Sequence, residues 1–383
     1  MKTYKVISVL ALLVIVAGLM TGCPQKTPAA KEPIKVAILG PLSGDVATFG
    51  ESNRDGALMA IEEWNAKGGV LGRQIEPIIE DSKCDAAEAA AAANKVIFED
   101  KVHYIIGEVC SSASIPVSQI ANPNKVLQIS GTSTNPAVTI NEDGSNKEYV
   151  FRACFMDPFQ GEVMASMAYD ELGLKTAAVL YDVGNDYVKG LAEYFKSAFE
   201  KKGGQVLVFE AYTKDDTDFS ALLTKVADSG AECLFLPDYY AKNNLIAAQI
   251  KDKGMKIQLL GGDGWDSPEL NLPLFEGGYH SNHYSPADPR PIVQNFVKAY
   301  TAKYGAEPDA LATLAYDAAT ILFKSIEAAG VDDPEKVKDA MAKGKFECVS
   351  GDIAFDEHGD PIKKAAIIKI EGGKKVFYKF VAP

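Results

Sequence analysis

Two hydroxyl-rich stretches and one aspartate carry the most specific chemistry in the chain. Gly107-Glu108-Val109-Cys110-Ser111-Ser112-Ala113-Ser114 leads into a helical pattern. Its hydroxyls and the free N–H groups of the helix start form an anion site that needs no Lys or Arg. Ser130-Gly131-Thr132-Ser133-Thr134-Asn135-Pro136 offers the same donors, and a carboxylate held between Ser111 and Thr134 is the concrete reading. Serines and threonines also cap helices and fill turns in any α/β protein, so neither stretch is specific alone. Asp263, in Gly261-Gly262-Asp263-Gly264-Trp265-Asp266, follows an apolar strand and is placed to receive an ammonium group, although Gly-Asp-Gly is also turn chemistry. Tyr239 and Tyr240 after Pro237-Asp238, Tyr187 after Asn185-Asp186, Phe49 and Trp265 supply aromatic walls, each of which reads equally as core.

Catalytic patterns are missing from the sequence. It holds no nucleophile elbow, P-loop, HExxH or dinucleotide fingerprint, and His103, His280, His283 and His358 occupy no metal-ligand spacing. His280-Ser281-Asn282-His283 reads as a solvated interlobe loop and not as a metal site. The expectation is a binding protein with no catalytic residue, no cofactor and no metal.

The N-terminal end points to a compartment. Lys2 and Lys5 precede an apolar run from Val6 to Leu19 that is too short to span a bilayer comfortably, which is the pattern of a signal peptide over residues 1–22. It ends in Leu19-Met20-Thr21-Gly22-Cys23, which resembles a bacterial lipobox with Met20 where Leu is usual, so Cys23 is expected to take the lipid. Residues 23–33, rich in Pro, Ala and Lys, read as a tether, and diacyl attachment gives stable anchoring. Loss of Lys2 and Lys5 takes the formal charge from −13 to −15, which argues against nucleic acid or an anionic membrane surface as partner. Five cysteines remain after Cys23, in an oxidising compartment that favours at least one pair. Cys233, in Cys233-Leu234-Phe235-Leu236, reads as a buried free thiol, whereas Cys154 and Cys348 stay unassigned.

The body of roughly 350 residues exceeds what one hydrophobic core usually supports, so two lobes are expected. Strand, loop and helix alternate from Ile34 onward: strands at 34–40, 74–80, 102–107 and 126–130, with helical patterns at 50–66, 85–99 and 114–121. Such alternation implies a parallel sheet with helices on both faces. A second series runs through helix 158–172, strand 176–181, helix 186–202, strand 205–211, helix 218–228, strand 232–236, helix 241–253 and strand 257–260. Residues 279–289 then lead to helices at 291–304, 308–329 and 334–343, and to a hairpin of 352–355 with 365–371. Crossings near 154–158, 283–288 and 345–351 make a hinge, which divides the chain into an N-terminal lobe of 34–155 plus 286–346 and a C-terminal lobe of 156–285 plus 347–383. Ligands of open α/β sheets bind at the carboxyl ends of the strands, where the hydroxyl stretches and Asp263 fall.

Taken together, Val36-Ala37-Ile38-Leu39-Gly40-Pro41-Leu42-Ser43-Gly44, Asn65-Ala66-Lys67-Gly68-Gly69-Val70, Cys110-Ser111-Ser112, Ser133-Thr134-Asn135-Pro136 and Phe159-Gln160-Gly161 resemble the leucine/isoleucine/valine-binding proteins, type I periplasmic receptors of branched-chain amino acid ABC transporters. The resemblance covers about residues 34–371 in order. It implies a type I periplasmic binding protein fold, two doubly wound parallel-sheet lobes joined by three hinge crossovers. Carried across residue by residue, it puts the carboxylate hydroxyls on Ser111 and Thr134 and the loop carbonyl near Thr132 and Ser133. The ammonium carboxylate falls on Asp263, where Glu is usual. Tyr239 and Tyr187 take the places of ligand-facing tyrosines, Phe49 replaces a usual Trp, and Cys84 with Cys110 match a disulfide. The implied function is capture of an amino acid, leucine, isoleucine or valine, by a monomer that hands it to ABC permease subunits and touches the membrane through its lipid alone. A polar amino acid, an amide or a short carboxylate is the alternative ligand, and a sensory ligand-binding module the alternative role.

Overall fold

The structure is a computed structural model that describes residues 31–383, of which 33–383 pack as one compact unit. The signal peptide, Cys23 and most of the tether lie outside the described residues. Strand β1 (Ile34–Gly40) is buried except at Lys35, the continuous apolar run expected of a strand covered on both faces. It pairs in parallel with β2 (Ile75–Asp81) and β3 (Tyr104–Ile106), and β4 (Leu127–Ser130) and β5 (Val150–Arg152) complete a parallel sheet in the order β2-β1-β3-β4-β5. Helices α1 (Ala47–Ala66), α2 (Ala86–Asn94) and α3 (Ser111–Ala121) connect these strands. The Asp85 side chain caps α2 by accepting from the N–H groups of Ala87 and Glu88.

The second series comprises α4 (Asp157–Ser166), β6 (Thr176–Asp182), α5 (Asp186–Lys201), β7 (Gln205–Tyr212), α6 (Ser220–Ser229), β8 (Cys233–Leu236), α7 (Tyr240–Asp252), β9 (Gln258–Gly261) and β10 (Tyr279–Asn282). The chain then returns to the first sheet as α8 (Pro291–Tyr304), α9 (Ala310–Ala329) and α10 (Pro334–Lys343). Gly56 lets α1 approach α9 so closely that a Cβ there would lie 2.0 Å from the Ala312 carbonyl oxygen. Short strands β11 (Lys345–Phe346) and β12 (Ile353–Ala354) pair with each other, and β13 (Ala365–Glu371) and β14 (Lys374–Val381) end the chain. The second sheet has the order β14-β13-β10-β9-β8-β6-β7, parallel except at β13, which is antiparallel to both β10 and β14. Two lobes, each a doubly wound sheet, are thus joined where the chain leaves β5, leaves β10 and enters β13.

Three expectations change. Residues 280–283 are not a solvated loop: His280, Ser281 and Asn282 lie in β10, buried between β9 and β13. The side chains of Ser281 and Asn282 are tolerated there because they are paired, Ser281 with Gln160 at 3.2 Å and Asn282 with Asp266 at 2.9 Å. The hairpin of 352–355 with 365–371 does not form, since β12 pairs with β11 and β13 joins the second sheet. Residues 347–360, expected with the C-terminal lobe, include a segment hydrogen-bonded to the first sheet, where the Arg152 N–H donates to the Gly359 carbonyl at 3.1 Å.

Candidate functional site

The first lobe's contribution is built around Glu108. Gly107, at φ +122° with its Cα against the Leu39 carbonyl, turns the chain out of β3, and Ser111 opens α3 where the sequence pattern suggested a start at 114. Cys110 immediately before it is disulfide-bonded to Cys84, with Cα atoms 5.6 Å apart, while Cys154, Cys233 and Cys348 are buried free thiols. The Glu108 carboxyl accepts from the Ser82 hydroxyl and, at 2.7 Å, from the Cys110 N–H. Complete burial pushes this carboxyl up to about 7, against the pull of those two donors.

The second hydroxyl stretch is laced onto the first. Ser130 and Ser133 donate to the Glu108 carbonyl at 2.7 and 3.0 Å, and Thr132 donates to the Val109 carbonyl at 2.9 Å. Below it lies Arg152, fully buried. Its guanidinium donates to the carbonyls of Ser133 (2.7 Å) and Asn135 (3.1 Å) and is neutralised by Asp360 at 2.5 Å. Ser133 is therefore scaffold: its hydroxyl also meets Ser114 at 2.6 Å and is spent within the loops. Ser111 Oγ accepts from the Asn135 N–H at 3.2 Å, whereas the buried Thr134 hydroxyl faces the Asp157 carboxyl.

The second lobe presents Asp263 at the start of a 3₁₀ turn after β9. Its Oδ1 accepts from the Tyr187 hydroxyl (2.7 Å) and the Gln160 amide (2.8 Å), and its Oδ2 meets His283 Nε2 at 2.9 Å. Gly262 permits this, because a Cβ there would lie 2.6 Å from the Tyr187 oxygen. Tyr187 and Tyr239 stack at 5.3 Å with their rings 5° from parallel, and Phe49 meets Tyr239 edge-on at 5.6 Å from the opposite lobe.

Between the lobes these groups bound a cleft. Of the residues singled out from the sequence, Phe49, Ser111, Thr132, Tyr187, Tyr239 and Asp263 line it. Trp265 does not: it is fully buried over Gly261, donates Nε1–H to the Leu236 carbonyl at 2.9 Å and packs on Phe275. Val109, His283, Ala310 and Leu311 line the cavity as well and were not anticipated. Gln160 carried a signal, since Phe159-Gln160-Gly161 is part of the family resemblance, but no role came from it. Asp157 was missed altogether. Its carboxyl is buried facing the Thr134 hydroxyl, and its N–H donates to the Thr134 carbonyl at 3.0 Å. Burial, reinforced by the charge of Asp263 and opposed by the Thr134 hydroxyl, pushes the Asp157 carboxyl well up.

The walls thus differ in kind. The first lobe offers a hydroxyl at a helix start and apolar Val109, Ala310 and Leu311; the second offers a carboxylate held by three uncharged donors. Among the described residues no group of three or more His, Cys, Asp or Glu side chains is placed to hold a metal ion.

A family model described as periplasmic binding protein matches residues 33–375. A leucine-, isoleucine-, valine-, threonine- and alanine-binding protein of Pseudomonas aeruginosa is 36% identical over 337 residues, spanning 86% of this chain and 88% of its own. The crystal structure of a leucine-binding protein, LivK, from Thermotoga maritima matches with a TM-score of 0.86 at 38% identity, covering 91% of this chain and 99% of that one. The branched-chain amino acid transporter substrate-binding protein LivJ of Streptococcus pneumoniae, solved in complex with isoleucine, matches with a TM-score of 0.85 at 29% identity over 92% of this chain and 100% of that one. The chain belongs to the periplasmic binding protein family, alongside the leucine/isoleucine/valine-binding proteins.

Proposed function

We propose that the interlobe cavity captures an α-amino acid as its zwitterion, with leucine, isoleucine and valine the preferred ligands, and that the protein delivers it to an ABC importer without chemical change. The observation that carries this reading is the pairing of Asp263 on one wall with the Ser111 hydroxyl and helix start on the other, across a cavity lined otherwise mainly by aliphatic and aromatic groups. Thr134, buried just behind Ser111 and Thr132, is the second carboxylate donor, and Phe49, Tyr187 and Tyr239 bound the side-chain space. Calorimetry with the three amino acids and with a deaminated analogue of leucine tests it. In a closed cleft an ammonium without its carboxylate costs several kcal/mol, so Asp263→Ala should abolish measurable binding, whereas Ser111→Ala removes one donor of several and should cost about 1–3 kcal/mol. Unchanged affinity in Asp263→Ala, or equal binding of the deaminated analogue, overturns the reading.

The first lobe takes residues 34–155 with 286–360, and the second takes 156–285 with the C-terminal strands; the third crossing lies nearer 361–364, because Asp360 is still tied to Arg152. The protein acts as a monomer that meets the permease subunits outside the cytoplasm, on a bacterial membrane to which the lipid on Cys23 holds it. Cys23→Ser should then move the protein to the soluble fraction with leucine affinity intact; tight membrane attachment of the variant overturns the anchor.

A further inference from the structure

His283 closes the far side of Asp263. It is 1% exposed, and its ring stacks on Phe155 at 3.8 Å and 30°, which fixes the ring plane where two of the crossings meet. Nε2, 2.9 Å from Asp263 Oδ2, must carry the proton to face a carboxylate, so Nδ1 is the bare nitrogen, and it has no partner among the described residues. With Oδ1 occupied by the Tyr187 hydroxyl and the Gln160 amide, every protein donor on Asp263 is uncharged. The pair of Asp263 and His283 therefore keeps one full negative charge, which is what an incoming ammonium needs.

We propose that His283 is a positioning residue of the ammonium site, and that a second proton on its ring expels a bound amino acid because the Asp263–His283 pair then has no net charge. This rests on the reading of Asp263 as the ammonium acceptor. The charged groups around the ring fix the direction of the effect. Burial disfavours the imidazolium most strongly; Asp263 opposes that, and Lys363, held by the Ala153 carbonyl and the Ser350 hydroxyl, adds to it. Asp266 favours the imidazolium more weakly, its charge being already met by Lys375 at 2.5 Å. Asp157, on the other side of Asp263, has its carboxyl pushed well up by burial. The balance holds His283 below the ordinary histidine range, so it stays neutral at neutral pH, and a bound ammonium lowers it further.

Calorimetry with leucine from about pH 8 down to about pH 5, on the wild type and on His283→Gln, tests the proposal. Gln retains an uncharged N–H donor and takes no second proton. Wild-type affinity should weaken by up to about tenfold per pH unit once the ring begins to charge, while the variant's stays nearly flat, any contribution of Glu108 being common to both. Parallel profiles overturn the proposal but leave the ammonium site intact if the deaminated analogue still fails to bind. A deaminated analogue that binds as well as leucine overturns both. Should His283→Gln fail to fold, NMR of the wild type's imidazoles decides alone: adding leucine must move one of the four histidine titrations to lower pH, and no movement overturns the proposal.

Discussion

Glu108 illustrates how the site borrows stability from elsewhere in the lobe. It is fully buried, accepts from uncharged donors, and is held up at about 7 by its own desolvation, yet it ties the 82–84 turn to the loop that presents Ser111. A carboxyl raised on folding stabilises the fold where it is protonated in both states and loses that contribution as the unfolded chain ionises. The native protein should therefore lose about 3 kcal/mol from this one group between about pH 4.5 and about pH 7, and nothing more above it. Glu108→Gln keeps an acceptor for the Cys110 N–H and a polar partner for Ser82 but cannot ionise. Urea unfolding of the two proteins should give stabilities that diverge as pH rises through this window, with the variant the more stable at about pH 8; a constant difference across the window is the contrary result. Such residues were invisible in the sequence. Glu108, Asp157 and His283 sit in stretches that read as turns, loops or crossings, and Glu108 and His283 meet partners 20 to more than 100 positions away.

At the scale of elements the legible part was the regular part. Alternation of apolar runs with helical periods placed the strands of both sheets up to β9 within a residue or two, because a strand covered by helices on both faces must be apolar throughout. β5 escaped for its shortness, three residues. β10 escaped because His280, Ser281 and Asn282 look like a turn; only a sheet already formed on both sides supplies the hydrogen bonds that let them lie inside it. β14 is an edge strand with Val376, Tyr378 and Phe380 partly exposed, so its alternation of charge and apolar side chains gives no clear period, and β13 was assigned to the wrong partner as a result. The candidate site was legible where function demands a residue type at a helix start or strand end, as at Ser111 and Asp263. It was illegible where the residue serves by shape, as with Ala310 and Leu311, which enter from a helix that begins nearly fifty positions after Asp263. Trp265 looked like a ligand wall for want of any sign that Gly261 leaves a slot for its ring.

Across the whole molecule, the lobes already grip each other around the cavity. Thr48 donates to the Tyr240 hydroxyl at 2.8 Å, the Asp186 N–H donates to Ser112 at 2.8 Å while Asn135 donates to the Asp186 carbonyl at 2.8 Å, and the Ala310 N–H at the start of α9 reaches Asp266 of the other lobe at 2.8 Å. Each of these bonds joins residues that belong to different lobes, and none belongs to the cavity's polar groups. A ligand can enter only when they part, so the measured affinity is the intrinsic affinity of the closed cleft reduced by the fraction of molecules able to close. Tyr240→Phe isolates this term. It removes one interlobe hydrogen bond, worth about 0.5–1.5 kcal/mol, and leaves the ring to pack on Phe49 at 5.0 Å. Leucine affinity should fall by about twofold to tenfold, and small-angle scattering at subsaturating leucine should show a larger open fraction than in the wild type. The thermal stability of each lobe should stay nearly unchanged, because no core contact is lost. If affinity is unaffected while the ligand-free protein is plainly destabilised, the Thr48–Tyr240 bond belongs to folding and not to closure.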